Sequence, residues 1–164
     1  MTVKELLKAI GVTPSADYHG EVRTNMQVLA VRIAEETDPL DFAVTLPHME
    51  NLGASIKAET EETDYLWEGR VTTRYAPRRT FSLQGKRLVG DAFQDWACSH
   101  AVKFGTGGEI ETDYIYLDLL TGEGETGRLS IGVAEDGSGA ADTPGTFAAE
   151  AWSLGTPSPY HYEA

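Results

Sequence analysis

The sequence is dominated by short segments in which apolar and polar residues alternate, separated by turns rich in glycine. The alternating segments are residues 42–46, 55–60, 114–120, 129–133 and 147–154. A period of two places successive side chains on opposite faces of a strand, as expected for strands that are half buried. Glycine-rich turns at residues 121–127 and 136–145 separate the last three segments, which predicts a meander of three strands.

One longer apolar run and one helical stripe complete the predicted architecture. Residues 22–33 are rich in β-branched and apolar side chains at odd and even positions alike, which predicts a central strand covered on both faces. A helix is predicted over residues 86–102 from the stripe formed by Leu88, Val89, Ala92, Phe93, Trp96 and Ala97. We therefore predict a mainly β fold (β+α), a β-sandwich or flattened barrel with one helix packed on it.

The domain organisation follows from the length of the chain and from the positions of the glycines and prolines that interrupt regular structure. A chain of 164 residues fits one domain with a single core. Residues 1–20 contain a short amphipathic piece followed by breakers, and they are predicted to form a loosely held N-terminal arm. Residues 21–155 are the predicted β-sandwich domain and residues 156–164 a C-terminal tail. The acidic cluster at residues 61–64 is predicted to be an exposed turn.

The charge of the chain is strongly negative and unevenly placed. The net charge is −13 and the pI is near 4.6, so the surface is expected to repel DNA rather than grip its phosphates. Residues 70–103 hold seven basic and two acidic side chains, whereas Arg128 is the only lysine or arginine from residue 109 onwards. Opposite charge on two parts of one chain permits head-to-tail contact between copies. The alternative is a pair of solvated faces.

Cysteine content and hydropathy exclude several classes of protein. Cys98 is the only cysteine, so neither an intrachain disulfide nor a cysteine-based zinc site within one chain is expected. No segment approaches the roughly 18 consecutive apolar residues of a membrane helix. Lys4, Glu5 and Lys8 interrupt the start of the chain where a signal peptide is apolar. We expect a soluble protein made in the cytoplasm.

One motif imitates a dinucleotide-binding loop. Gly122, Gly124 and Gly127 have the spacing G-x-G-x-x-G after a predicted strand. The residues that follow alternate like a strand instead of beginning a helix, and Glu123 and Glu125 would repel a phosphate. The motif therefore predicts a hairpin turn.

The remaining polar and aromatic candidates do not combine into a reactive site. Asp136, Ser138 and Asp142 lack the bidentate glutamate of a calcium loop, and Cys98 and His100 point about 200° apart on the predicted helix. Core or subunit-interface packing is predicted, with a sugar-binding face as the alternative, for Tyr65, Trp67, Tyr75, Tyr114, Tyr116 and Trp152. We predict no catalytic, cofactor-binding or metal-binding residue, and therefore no enzyme.

The C-terminal half resembles the major tail tube proteins of siphophages, the long-tailed bacteriophages. The resemblance is carried by GKRLVGDAFQDWACSHAVKFGTG (residues 85–107), TDYIYLDLLTGEGETGRLSIGVAEDGSG (residues 112–139) and FAAEAWSLGTPSPYHY (residues 147–162). In that family a helix follows a central hairpin, two strands follow the helix, and a small-residue turn precedes a last strand. Residues 55–85 are similar to the charged hairpin of such proteins.

The resemblance implies a structural virion protein that self-assembles into stacked hexameric rings. Such rings form the tail tube around a tape measure protein and later around double-stranded DNA in transit, with a tail terminator and baseplate or hub proteins at the ends. It further implies that acidic side chains face the lumen, that the basic segment 70–87 meets acidic loops of a neighbour, and that the protein is located in the virion after synthesis in the host bacterial cytoplasm. The alternative function is a monomeric β-sandwich binding module, such as a phage decoration or host-carbohydrate-binding domain.

Overall fold

The chain folds around one antiparallel sheet of eight strands. This computed structural model describes residues 1–163. The strands are β1 (Gln27–Val31), β2 (Ala43–Val44), β3 (Met49–Tyr65), β4 (Gly69–Lys86), β5 (Glu111–Asp118), β6 (Glu123–Ser138), β7 (Thr146–Ser153) and β8 (Ser158–His161). Their order is β2-β1-β5-β6-β7-β4-β3, and β8 pairs with the start of β6. The sheet is not closed, and β2 and β3 are its ends. The predicted mainly β fold class is confirmed.

The two faces of the sheet are buried by different helices. Helices α2 (Ala92–Ala97) and α3 (His100–Lys103) cover one face, where Phe93 packs against Phe147 at a ring-centroid distance of 6.1 Å. Helix α1 (Val3–Ile10) covers the other face through Val3 and Leu7. Strand β1 divides its side chains between these two cores, because alternate residues of a strand point to opposite faces.

The predicted central strand and meander are present with different bounds. Residues 28–31 are buried on both faces as predicted, but residues 22–25 are exposed. Only Gln27–Val31 forms a strand, because a 3₁₀ turn at Thr24–Met26 precedes it. The meander β5-β6-β7 pairs strand by strand in the predicted order.

The predicted helix over residues 86–102 is wrong in its length. Gly90 has a left-handed φ of +97°, and Asp91 caps α2 by accepting a hydrogen bond from the backbone N–H of Gln94. The buried Gln94 side chain also binds the backbone of Lys86 and Leu88, at 3.0 and 2.8 Å, and so holds this segment extended. An extended Ser99 then separates α2 from α3. Two short helices with a break between them therefore replace one long helix.

The first ten residues are docked rather than loosely held. Thr2 and Glu5 form a capping box at the start of α1, and Val3 is fully buried. Lys4 binds Asp38 and Asp41 at 2.7 and 2.9 Å, which fixes the helix to the 3₁₀ turn at Pro39–Asp41. Part of the predicted tail, Ser158–His161, is strand β8, which pairs with β6.

The acidic cluster at residues 61–64 lies in strand β3 and is not a turn. Its four residues pair with residues 70–73 of β4, and the chain reverses farther on, at residues 66–68. The turn prediction was wrong because charged residues are ordinary on a strand that is exposed on both faces.

Candidate self-assembly interface

Strands β3 and β4 extend far beyond the body of the protein as a two-stranded ribbon. Toward the tip of the hairpin, the pairing of β4 with β7 ends at Thr80, which also pairs with Ser55 of β3. We use "the ribbon" for residues 55–79, where β3 and β4 pair only with each other. Ten residue steps at about 3.3 Å each give it a length of about 33 Å. All but two of its residues, Ala58 and Arg79, are exposed.

The ribbon has no core of its own. An isolated two-stranded hairpin is marginally stable at best in water, and an unpaired strand edge is a template for another chain. Within residues 1–163 no strand pairs with the outer edge of β3, or with the outer edge of β4 beyond Thr80. The ribbon is therefore the part of the described chain best suited to contact with another polypeptide.

The two edges of the ribbon carry opposite charge. Its β3 strand holds four acidic residues and one lysine, whereas its β4 strand holds four arginines and no acidic residue. With Glu68 in the turn, the ribbon contains five acidic and five basic residues, so the net charge of −13 lies in the rest of the molecule.

Charges also lie on both faces of the ribbon. Strand parity places Glu62 and Arg74 on the face that continues the core side of the sheet, beyond the buried Phe81. The same parity places Glu61 and Arg78 on the opposite face. Each face therefore has an acidic side chain on β3 and an arginine on β4.

A bulge at the base sets the direction of the ribbon. Ala58 of β3 lies opposite two residues of β4, Ala76 and Pro77, between the pairs Lys57–Arg78 and Glu59–Tyr75. Ala76 has a φ of +51°, a left-handed conformation that is uncommon for a residue with a Cβ. Bulges bend a strand and increase its twist, so the distal ribbon is turned relative to the sheet.

An ion pair joins the root of the ribbon to the body. Arg79 donates from Nε and Nη2 to the two carboxylate oxygens of Glu125 on β6, at 2.6 and 3.2 Å. The side chains are 18% and 20% exposed, and the guanidinium lies 5.2 Å from the ring centre of Tyr116. The hydrogen bond to Glu125 raises the pKa of Arg79, and burial raises the pKa of Tyr114, whose hydroxyl donates to the same carboxylate at 3.4 Å. We call Arg79–Glu125 the root ion pair.

Several bases of the segment 70–87 have acidic partners within their own chain. Arg70 binds Asp64 at 3.0 Å and Arg87 binds Asp95 at 3.1 Å, in addition to the root ion pair. Across the described part of the chain, Arg74 and Arg78 have no acidic group within 4.0 Å. These two arginines are the members of the basic segment that remain available to a neighbour.

The glycine motif has a structural role in the sheet. Gly124 and Gly127 lie within strand β6, and no helix follows them. A Cβ on Gly124 would collide with the backbone oxygen of Tyr116 on β5. Gly124 therefore permits close approach of two strands, which accounts for the residue without a nucleotide.

The other candidates are dispersed over the surface. Asp136 binds Lys103 at 2.7 Å, and Cys98 and His100 lie on either side of the break between α2 and α3. His161 contacts Glu123 at 2.8 Å. No group of three potential metal ligands occurs in residues 1–163. Over the same residues, no helix is both long enough and apolar enough to span a membrane.

An open antiparallel sheet with a docked N-terminal helix and a long ribbon defines the class of fold. The chain is similar in fold to a chain from the tail of an empty gene transfer agent particle, reconstructed with C6 symmetry, with a TM-score of 0.59 at 14% identity. The match covers 87% of the present chain and all of that one. A chain from the virion of the native gene transfer agent particle matches with a TM-score of 0.58 at 15% identity, over 85% of this chain and 98% of that one. No protein family and no curated protein matches the sequence.

Proposed function

We propose that this chain is a non-enzymatic structural protein of a phage-like tail, and that its copies assemble side by side into rings that stack into a tube. The observation that carries the proposal is the exposed ribbon with two unpaired edges of opposite charge. The likeness to chains of gene transfer agent tails supports it, because the shared fold comes from particles in which tails are assembled.

Side-by-side contact through the ribbon is compatible with ring closure. In a cyclic assembly all copies point the same way along the axis, so β3 of one copy runs antiparallel to β4 of the next, as it does within a copy. The contact joins an acidic edge to a basic edge at every interface, and complementary charge of this kind fixes orientation and register. The C6 symmetry of the gene transfer agent tail suggests six copies in a ring.

The charge of the body suits a channel for DNA. The whole surplus of −13 lies outside the ribbon, and a wall that binds no phosphate leaves the polyanion free to slide. We propose that part of this surplus faces the lumen. The other proposed partners are a tape measure protein inside the tube and terminator and baseplate or hub proteins at its ends, in a virion assembled in a bacterial host.

The proposal is tested by the mass of the purified protein at rising concentration. Light scattering after size-exclusion chromatography is expected to give ring-sized particles and longer polymers in place of the 17.8 kDa single copy. Negative-stain microscopy is expected to show hollow rods of uniform width. A chain that stays a single copy at millimolar concentration contradicts the proposal.

One observation favours a second function. Trp67 is 94% exposed at the tip of the ribbon, and Tyr65 beside it is 53% exposed, as in the aromatic platforms of binding modules. A monomeric module that binds a host carbohydrate would remain a single copy and would show quenching of tryptophan fluorescence on addition of glycans.

A further inference from the structure

The tip of the ribbon exposes two large apolar side chains with nothing to pack against in their own chain. Leu66 and Trp67 occupy the turn between β3 and β4, and both are almost fully exposed. Aromatic residues are the commonest anchors of protein interfaces, where one ring fills a pocket of the partner.

A recess of matching character lies at the opposite end of β3. Its volume is about 290 Å³, near the lower end of the range for ligand pockets. The wall is mostly apolar and includes Leu46, Met49 and Leu52, while Thr24 and Asn51 lie on its exposed side. A recess of this size has room for one or two side chains and not for a folded domain.

We infer that Trp67 and Leu66 of one copy insert into this recess of a second copy, and that this contact stacks one ring on the next. The inference rests on the proposed function and adds to it the residues of the axial contact. It assigns the tip and the recess to contact between rings, and the edges of the ribbon to contact within a ring.

The positions of the two features explain why the partner is another copy of this chain. The recess is formed around the first residues of β3 and the tip follows its last residue, so the two halves of the contact lie at opposite ends of one strand. A protrusion that fits a pocket elsewhere on the same molecule makes a head-to-tail contact, which produces a linear stack when no rotation closes it into a ring. The span from Met49 to Tyr65 is about 53 Å at 3.3 Å per residue, which gives the approximate distance between the recess and the tip.

Charge at the two ends agrees with this pairing. Glu68 follows Trp67 at the tip, and Arg23 precedes Thr24 at the recess. Both side chains are exposed, and neither has an oppositely charged partner within 4.0 Å in residues 1–163. Insertion of the tip brings Glu68 toward Arg23, while Glu50, which lines the recess, has Lys86 as its partner at 4.0 Å.

The first test separates stacking from ring formation. In the variant Trp67→Ala, ring-sized particles are expected to persist by light scattering, while the concentration needed for rods in electron micrographs rises by at least about 30-fold. The matched control is Val89→Ala, an 81% exposed apolar residue outside the ribbon, which is expected to form rods like the wild type. If Trp67→Ala formed rods at the wild-type concentration, or lost rings as well as rods, this inference would be overturned and the proposed function would stand. A wild-type protein that never leaves the single-copy state would overturn the proposed function as well.

The second test is a cross-link between copies. Glu68→Cys combined with Thr24→Cys, in a Cys98→Ala background, keeps Trp67 and Leu66 in place and is expected to give a ladder of disulfide-linked species on a non-reducing gel after mild oxidation. Each single substitution in the same background is expected to give no ladder beyond a dimer. A double variant that forms rods but no ladder contradicts the assignment of the recess.

Discussion

Reversal of charge on one edge of the ribbon is the perturbation that separates edge pairing from nonspecific association. The acidic edge is reversed by Glu61→Lys with Glu62→Lys, and the basic edge by Arg74→Glu with Arg78→Glu, so that each variant changes one residue on each face. An opposite-charge pair across strands contributes about 0.2–1 kcal/mol, and a like-charge pair costs a similar amount. Two reversals therefore weaken each contact by about 1–4 kcal/mol, or about 5- to 1,000-fold in dissociation constant.

Each variant alone is expected to fail to assemble, and an equimolar mixture is expected to recover assembly. The first variant changes the net charge of the β3 half of the ribbon from −3 to +1, and the second changes that of the β4 half from +4 to 0. Alternation of the two variants gives wild-type contacts and charge-swapped contacts in turn, so no contact joins an altered edge to an unaltered one. Sedimentation velocity measures the species formed, and mass spectrometry of isolated rings measures their composition. Concentrated salt should weaken assembly of the wild type, because the Debye length falls to about 3 Å at 1 M. Charge-directed edge pairing would be refuted if either variant assembled alone at low salt, or if the mixture failed to assemble.

Three further predictions concern the body that holds the ribbon. Glu125→Gln removes the charge from the root ion pair and is expected to cost about 1.5–3 kcal/mol, which lowers the melting temperature by about 3–12 °C in calorimetry. Gly124→Ala places a methyl group against the next strand and is expected to cost about 1–3 kcal/mol in a urea titration, whereas Gly108→Ala, with no atom nearby, is expected to cost little. The hydrogen bond from Lys4 lowers the pKa of Asp38 below its usual 3.8, so the stability from this contact is complete above pH 3.8 and is lost as the pH falls through the folded-state pKa. Hydrogen exchange of α1 should rise over that acid range in the wild type.

Each of these three predictions would be contradicted by a different result. An unchanged melting temperature in Glu125→Gln would mean that the root ion pair does not hold the ribbon. Equal costs for the two glycine variants would contradict the role of close strand approach. In a Lys4→Met variant, an increase of α1 exchange in acid equal to that of the wild type would contradict the proposed link to Asp38.

Alternation and turn residues were sufficient to predict the class of fold and the order of the meander. Residues 147–153 alternate between buried and more exposed side chains, so their sequence period reports their structure directly. The helix over residues 86–102 was overestimated. Phe93 and Ala97 of its apolar stripe are buried, but Val89 and Ala92 are exposed, and the buried Gln94 and the left-handed Gly90 hold the first part extended. Periodicity detects which side is buried, and it does not detect a tertiary hydrogen bond that competes with helix formation.

The resemblance of residues 55–85 indicated a charged hairpin, but the residue pattern did not predict the length of the ribbon. Residues 61–64 were expected to be a turn because they are acidic, and a strand that is exposed on both faces has no hydrophobic alternation to reveal it. One available signal was the arrangement of the charges, since acids on residues 59–64 face arginines on residues 70–79 across a short turn that contains Leu66 and Trp67. The docking of α1 was missed for a different reason, because Thr2 with Glu5 is a capping box that sequence reasoning did not use.

The central claim is that the outer edge of β3 is completed by another copy. Every second backbone N–H of β3 between Lys57 and Tyr65 faces away from β4, and these amides have no strand partner in the described chain. Hydrogen exchange resolved to single amides, measured on single copies and on assembled material, tests the claim directly. We predict that these alternate amides exchange rapidly in the single copy and become protected in the assembly. Rapid exchange of the same amides in fully assembled material would contradict the account.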